Sequence, residues 1–211
     1  ETSGHAAMDE ASKKLPKALA PETPSPLYQE KGVRYSRKLP YRLYTYCKVL
    51  KDENKIRLVF ENKGAAGAVY HVYDMNHLQK IPRRYTVEAG KALSDEWDAA
   101  ANNGSYDLEV YGPNGYFHKF SGSIQNHEPE VKLAYDHISG SISAALHNPT
   151  EHPVHITIVS NAYQHKDNGP WLIKLGAGKK KSKTWALKNS GNWYDFSVKT
   201  EDGFLHRLQE G

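Results

Sequence analysis

Ala89-Gly90-Lys91, followed six residues later by Trp97 and then by Tyr106-Asp107, returns as Ala177-Gly178-Lys179, Trp185 and Tyr194-Asp195. Each landmark keeps an offset of 88 residues, and the register holds to Gly115 and Gly203, which close Pro113-Asn114-Gly115 and Glu201-Asp202-Gly203. A period of this length is too long for a solenoid repeat and suits a small domain. The chain therefore reads as a tandem duplication.

The segments between those landmarks alternate. Ile56, Leu58 and Phe60 face one way, and Ile142, Ala144 and Leu146 repeat them at an offset of 86. Ala68, Tyr70 and Val72 map onto Val154, Ile156 and Ile158, and Tyr106, Leu108 and Val110 onto Tyr194, Phe196 and Val198. A period of two marks strands with one face in a core and one in water. The step from 86 to 88 predicts a two-residue insertion between Ile158 and Ala177, in a loop near Gln164 to Gly169. Asn114-Gly115 and Asp202-Gly203 are hairpin turns, and Asn62-Lys63-Gly64 and Asn148-Pro149-Thr150 are further strand breaks. No helical period appears after residue 40. These observations predict an all-β chain of two Ig-like β-sandwiches, over 38–126 and 127–211, preceded by an extended linker over 1–37. Within the linker, Glu10 to Leu15 predicts a turn or two of helix stopped by Pro16, and Ala20 to Pro26 is a semi-extended tether.

Composition narrows the function. The chain has 211 residues, a net charge of +4 and only 38% hydrophobic residues, with fourteen Tyr and four Trp against five Phe. The mild basicity favours anionic surfaces, and no nucleic-acid-binding motif accompanies it. Cys47 is the single cysteine, which excludes an internal disulfide and a cysteine-based zinc site. No apolar run reaches the length of a membrane-spanning helix. Gly-x-Ser-x-Gly, His-Glu-x-x-His and phosphate-cradling glycine loops are missing, so no catalytic residue, metal ligand or cofactor is assigned. His147, His152 and His155 lie close in sequence, but His152 and His155 would point to opposite faces of a strand, whereas zinc needs convergent ligands. Trp97 and Trp185 read as core residues, and the Asp of each Tyr-Asp pair reads as pointing outward or capping a turn. Lys179, Lys180, Lys181 and Lys183, with Arg83 and Arg84 in the first unit, are candidate lipid or anion contacts, or lysines guarding a strand edge. Tyr44, Tyr46, Tyr111, Tyr116 and Tyr163 are candidate interfacial aromatics.

A string of motifs adds a family. It runs through Gln29-Glu30-Lys31-Gly32, Arg37-Lys38-Leu39-Pro40-Tyr41-Arg42-Leu43, Gly67 to Tyr73 and Pro82 to Lys91. It continues through Leu93-Ser94-Asp95 to Trp97, Tyr106-Asp107-Leu108 to Gly115, and Trp193-Tyr194-Asp195-Phe196. From about residue 28 onward the chain resembles the C-terminal region of bacterial phospholipases C of the phosphatidylcholine-cleaving, acid-phosphatase-related family. The resemblance implies an upstream catalytic domain in the same protein, which would hydrolyse a phospholipid phosphodiester, and secretion or periplasmic export. It places no catalytic residue in this chain, and the missing initiator Met fits a piece of a longer protein. The expected role is a non-catalytic accessory region that supports the catalytic domain or its contact with a phospholipid membrane. The alternative is a carbohydrate-binding or partner-docking module.

Overall fold

The computed structural model describes residues 3–16, 39–126, 128–136, 138–163 and 169–210. The predicted tether over 17–37 and the predicted insertion at 164–168 lie outside the described residues. The N-terminal part is helix α1 (Ser3–Lys13), longer than the turn or two expected. Ala6, Ala7 and Ala11 favour it intrinsically, and Lys13 Nζ meets Glu10 Oε1 at 2.6 Å one turn back.

From residue 39 the alternating segments are strands. The first series is β1 (Leu43–Leu50), β2 (Lys55–Asn62), β3 (Ala68–Asp74), β4 (Arg83–Val87), β5 (Lys91–Asp98), β6 (Ser105–Tyr111) and β7 (Phe117–Ser123). The second is β8 (Glu130–Asp136), β9 (Ser141–His147), β10 (Val154–Ala162), β11 (Trp171–Leu175), β12 (Lys180–Ala186), β13 (Tyr194–Thr200) and β14 (Leu205–Glu210). In each series the first, second and fifth strands form one sheet, and the fourth pairs with the third in the facing sheet. Each pair of sheets encloses its own core. Ile56, Leu58, Phe60, Tyr70, Val72, Leu108 and Val110 fill the first, and Ile142, Ala144, Leu146, Ile156, Ile158, Phe196 and Val198 the second. Every fully buried aliphatic side chain of this kind contributes about 1.5–3 kcal/mol relative to exposure.

Two repeated devices tie the sandwiches together internally. Asn62 and Asn148 are both fully buried. Asn62 Nδ2 donates to the carbonyls of Ala66 and Val87 at 2.8 and 3.1 Å. Asn148 Nδ2 donates to those of His152 and Leu175 at 2.7 and 3.1 Å. Each therefore satisfies carbonyls that would otherwise be orphaned where β2 or β9 ends. Trp97 and Trp185 are buried against these cores.

The last strands of the two series also pair with each other. β7 runs antiparallel to β14, with Phe117 opposite Gln209, Lys119 opposite Arg207 and Ser121 opposite Leu205. Lys119 and Arg207 are equivalents at the 88-residue offset, so a pseudo-two-fold axis passes between them. The pairing fuses two four-stranded sheets into one of eight strands, in the order β11-β10-β13-β14-β7-β6-β3-β4. It also removes one exposed edge from each sandwich. Nothing in the local patterning signals this seam, because a strand with one buried face looks the same whether or not its edge is paired.

Candidate functional site

The connection between β3 and β4 is built by Asp74. Its Oδ1 accepts the Asn76 N–H at 3.1 Å and its Oδ2 lies 2.8 Å from His77 Nδ1. The His77 N–H reaches the Asp74 carbonyl at 2.9 Å, and the Lys80 N–H reaches the His77 carbonyl at 2.9 Å. These two successive turns hold Leu78 and Ile81 outward, 62% and 84% exposed. Lys80 and Arg84 are exposed beside them. Arg83 is differently employed. Its guanidinium lies 4.0 Å from the Trp97 ring centroid, and Nη1 donates to Asp95 Oδ2 at 2.8 Å. Burial opposes ionisation of Asp95. The Tyr85 hydroxyl, the Glu96 N–H and Arg83 nevertheless hold its carboxyl below the ordinary range.

The lysine cluster occupies β12, an edge strand of the sheet β12-β9-β8. Lys179, Lys180 and Lys181 are exposed there, while Lys183 Nζ sits 5.1 Å from the Trp171 ring and 5.7 Å from the Trp185 ring. The strand preceding the lysines, β11, and the strand carrying Arg83 and Arg84, β4, are opposite ends of the eight-stranded sheet. Seven ladder steps of about 4.8 Å put roughly 34 Å between them. The two groups of cations are therefore separate features.

The candidate aromatics divide as well. Tyr116 is corrected outright: it is 2% exposed, and its hydroxyl shares a hydrogen bond with Thr45 Oγ1 at 2.8 Å. The Asn114-Gly115 turn folds it back over the core, and its sequence position beside a loop was misleading. Tyr44 and Tyr46 stack on one another on β1 and are covered by Lys63 and Lys132 respectively, at 5.1 and 5.6 Å. Burial, with Glu61 next, pushes the Tyr46 hydroxyl up to about 12. Tyr111 is exposed on the outer face of β6. Tyr163 is exposed, its ring centroid 5.7 Å from that of Trp193 and the planes tilted by 33°, and Ile138, between β8 and β9, is 96% exposed. That second apolar tip has little excess charge: Asp136 accepts from Ser139 and from the Ile138 N–H, and Lys188 is the cation of the neighbouring loop. Asp195 is a further correction. Rather than pointing into water it is buried, clamped by Arg207 at 2.9 and 2.6 Å and by Asn161 at 2.8 Å.

Polar groups missed in the sequence gather beneath the seam. His118 and His206, equivalents at the 88-residue offset, are buried with Nδ1 and Nε2 3.3 Å apart. Burial holds both imidazoles in the neutral form, lowering His206 to about 3, and the neighbouring His206 adds to the effect on His118. Beside them Glu128 accepts hydrogen bonds from the Tyr106 hydroxyl and, at 2.8 Å, from the Ser123 N–H. Burial raises its carboxyl to about 7, against those two bonds. Cys47, Tyr106, Phe120, Glu128, Val131 and His206 line a cavity of about 220 Å³ between the sandwiches. The Cys47 thiol is pushed up by burial and by Glu128, the opposite of an activated nucleophile. The signal was present in the sequence, since alternation puts His118 on the buried side with Tyr116 and Phe120. Among the described residues no group of His, Cys, Asp or Glu is arranged to hold a metal ion.

The fold and these features define a class: two β-sandwiches joined through one continuous sheet, with a structured apolar and basic loop at one sheet end. The family model for the bacterial phospholipase C C-terminal domain matches residues 35–123 and 129–209, and the chain belongs to that family. It is 36% identical over 204 residues to the non-hemolytic phospholipase C of Pseudomonas aeruginosa, covering 92% of this chain and 29% of that protein. It is 38% identical over 215 residues to the non-hemolytic phospholipase C of Burkholderia pseudomallei, covering 99% and 30%. The hemolytic phospholipase C of Pseudomonas aeruginosa is 31% identical over 208 residues, covering 85% and 28%. The chain thus spans less than a third of the length of these curated relatives. Among solved structures, red sea bream transglutaminase aligns with a TM-score of 0.27 and 9% identity, over 83% of this chain and 32% of that one.

Proposed function

We propose that this chain is the accessory, non-catalytic C-terminal region of an exported phospholipase C, and that it holds a separate catalytic domain of the same protein against a phospholipid surface. The observation that carries the reading is the loop over 75–82. Leu78 and Ile81 are held in water by a hydrogen-bonded turn, with Lys80 and Arg84 exposed beside them. Apolar side chains flanked by cations are the composition of a peripheral membrane contact. Seating Ile81 in the acyl boundary is worth about 2 kcal/mol, and each basic residue near an anionic leaflet about 1 kcal/mol. That total supports reversible attachment. The names of the relatives, all phospholipases C, supply the catalytic partner and the substrate class. The carbohydrate-binding alternative loses ground because Trp97, Trp171 and Trp185 are core residues, and the exposed Trp193 is tilted by 33° against Tyr163 rather than set in a flat strip with it.

Co-sedimentation of the chain with vesicles of phosphatidylcholine and phosphatidylglycerol tests the reading. Binding of the parent chain, reduced at least fivefold in Ile81→Ser and weakened by salt, is the expected result. Equal sedimentation of parent and variant, or none by either, would remove the loop from the account.

A further inference from the structure

The short link between β7 and β8 joins the two sandwiches, and Glu128 on that link turns back into the first of them. Its Oε1 accepts the Ser123 N–H at 2.8 Å and its Oε2 accepts the Tyr106 hydroxyl. Gly122 makes this seat possible: a Cβ there would overlap Glu128 Oε1 and crowd the Tyr106 hydroxyl. The rest of the link is tied on both sides. Gln125 Nε2 donates to the Asn103 carbonyl of the first sandwich at 3.3 Å, and Asn126 Nδ2 to the Asp202 carbonyl of the second at 2.6 Å. At the 88-residue offset Gly122 corresponds to Glu210, whose side chain would fill an equivalent seat, so the arrangement belongs to the first sandwich alone.

We propose that Glu128 is a pH-sensitive latch on this link, seated against Gly122 as the neutral acid and released as the carboxylate. The seat offers two donors and no cation. Cys47 of β1 is close enough for the carboxylate to raise its thiol. Lys48, Lys51, Glu130 and His206 also line the cavity, with His118 behind His206. Each is otherwise placed. Lys51 reaches the Gln125 carbonyl at 3.5 Å, Glu130 lies 2.9 Å from His147, Lys48 is exposed, and both buried imidazoles are neutral. Burial therefore outweighs the two hydrogen bonds and pushes the seated carboxyl up to about 7 from the usual 4.5.

Below pH 4.5 seated and released forms are both neutral, and the latch holds at full strength. Between 4.5 and 7 only the released form ionises, so seating weakens about tenfold per pH unit. Above 7 both forms are ionised and the loss is complete. The link is thus tight in acid and slack at neutral pH. The latch stands on the geometry of the link and holds whether or not the chain meets a membrane.

The test is amide hydrogen exchange of the whole chain by NMR. The Ser123 N–H is held by Glu128, while the neighbouring Ile124 N–H is held by the Gly104 carbonyl and serves as the control. Exchange is itself base-catalysed, about tenfold per pH unit. From about pH 5 to 6.5 the Ser123 rate is expected to rise about a hundredfold per unit, against about tenfold for Ile124. In Glu128→Gln, which keeps an acceptor and has no proton to lose, Ser123 falls back to about tenfold per unit. Gly122→Ala, which blocks the seat, speeds Ser123 exchange at least tenfold at pH 5. A Ser123 rate that rises only as Ile124 does in the parent chain would overturn the proposal. So would the steep rise persisting in Glu128→Gln, or appearing equally at Ile124.

Discussion

The open flanks of the two sandwiches, where β4 faces β5 and β11 faces β12, solve one problem with different residues. In the first, Arg83 on β4 lies over the core Trp97 and is secured by Asp95 on β5. In the second, the positions exchange character. Trp171 stands on β11, the counterpart of β4, and Lys183 on β12 supplies the cation over both Trp171 and Trp185. The slot demands a cation capping a buried indole at the edge of the core, and either strand can provide it. The exchange accounts for Lys183 standing where the first sandwich has Asp95. Where Arg83 pairs with an acid, Lys183 has no ion pair among the described residues and continues a basic edge.

The comparison is broken most severely by removing the indoles. Trp97→Ala and Trp185→Ala are each expected to cost about 3–5 kcal/mol in urea unfolding, because both empty a closed core. A much smaller loss at one site would mean that its flank is open to water.

Acid titration tests the seam shared by both sandwiches. His118 and His206 are held neutral, so the unfolded chain takes up their protons first and stability falls as pH drops below about 6.5. Glu128, with its carboxyl raised to about 7, acts in the opposite sense: its protonated folded form gains on the unfolded chain as pH falls from about 7 towards 4.5. Two histidines outweigh one carboxyl, leaving a net loss of about 1–2 kcal/mol between pH 6.5 and 5. In the double variant His118→Gln, His206→Gln the sign reverses and stability rises over the same range. A parent chain whose stability is flat across this window would contradict the buried, neutral pair.

The smallest effects sharpen the flank comparison. Arg83→Ala is expected to cost about 1–2 kcal/mol, since it also strips Asp95 of its partner, and Lys183→Ala less than about 1 kcal/mol. Thermal unfolding of the two variants side by side checks the order.

Strand positions and cores were legible because Ile56-Leu58-Phe60 and Tyr194-Phe196-Val198 alternate, and alternation is a direct imprint of burial. Trp97 and Trp185 were legible for a related reason: a large ring kept in register with a strand is packing. The seam was not, since hydrogen bonding between β7 and β14 leaves no compositional trace. Charge and aromatic content suggested a surface contact but gave the wrong grouping. Arg83 and Lys183 cap indoles, Tyr116 is folded inward, and Leu78 and Ile81 passed unnoticed because an apolar residue in a loop shows its exposure only when the loop's hydrogen bonds are known.

The most direct test of the account places one reporter at each apolar tip. Cys47 is the single cysteine and its thiol is held protonated by burial, so Ile81→Cys and Ile138→Cys can each be labelled with an environment-sensitive dye. With mixed phosphatidylcholine and phosphatidylglycerol vesicles, the dye at position 81 is predicted to shift to the blue and to be quenched by a lipid-borne quencher, while the dye at 138 stays in water. A response at 138 alone, or at neither position, would contradict membrane contact through the loop over 75–82.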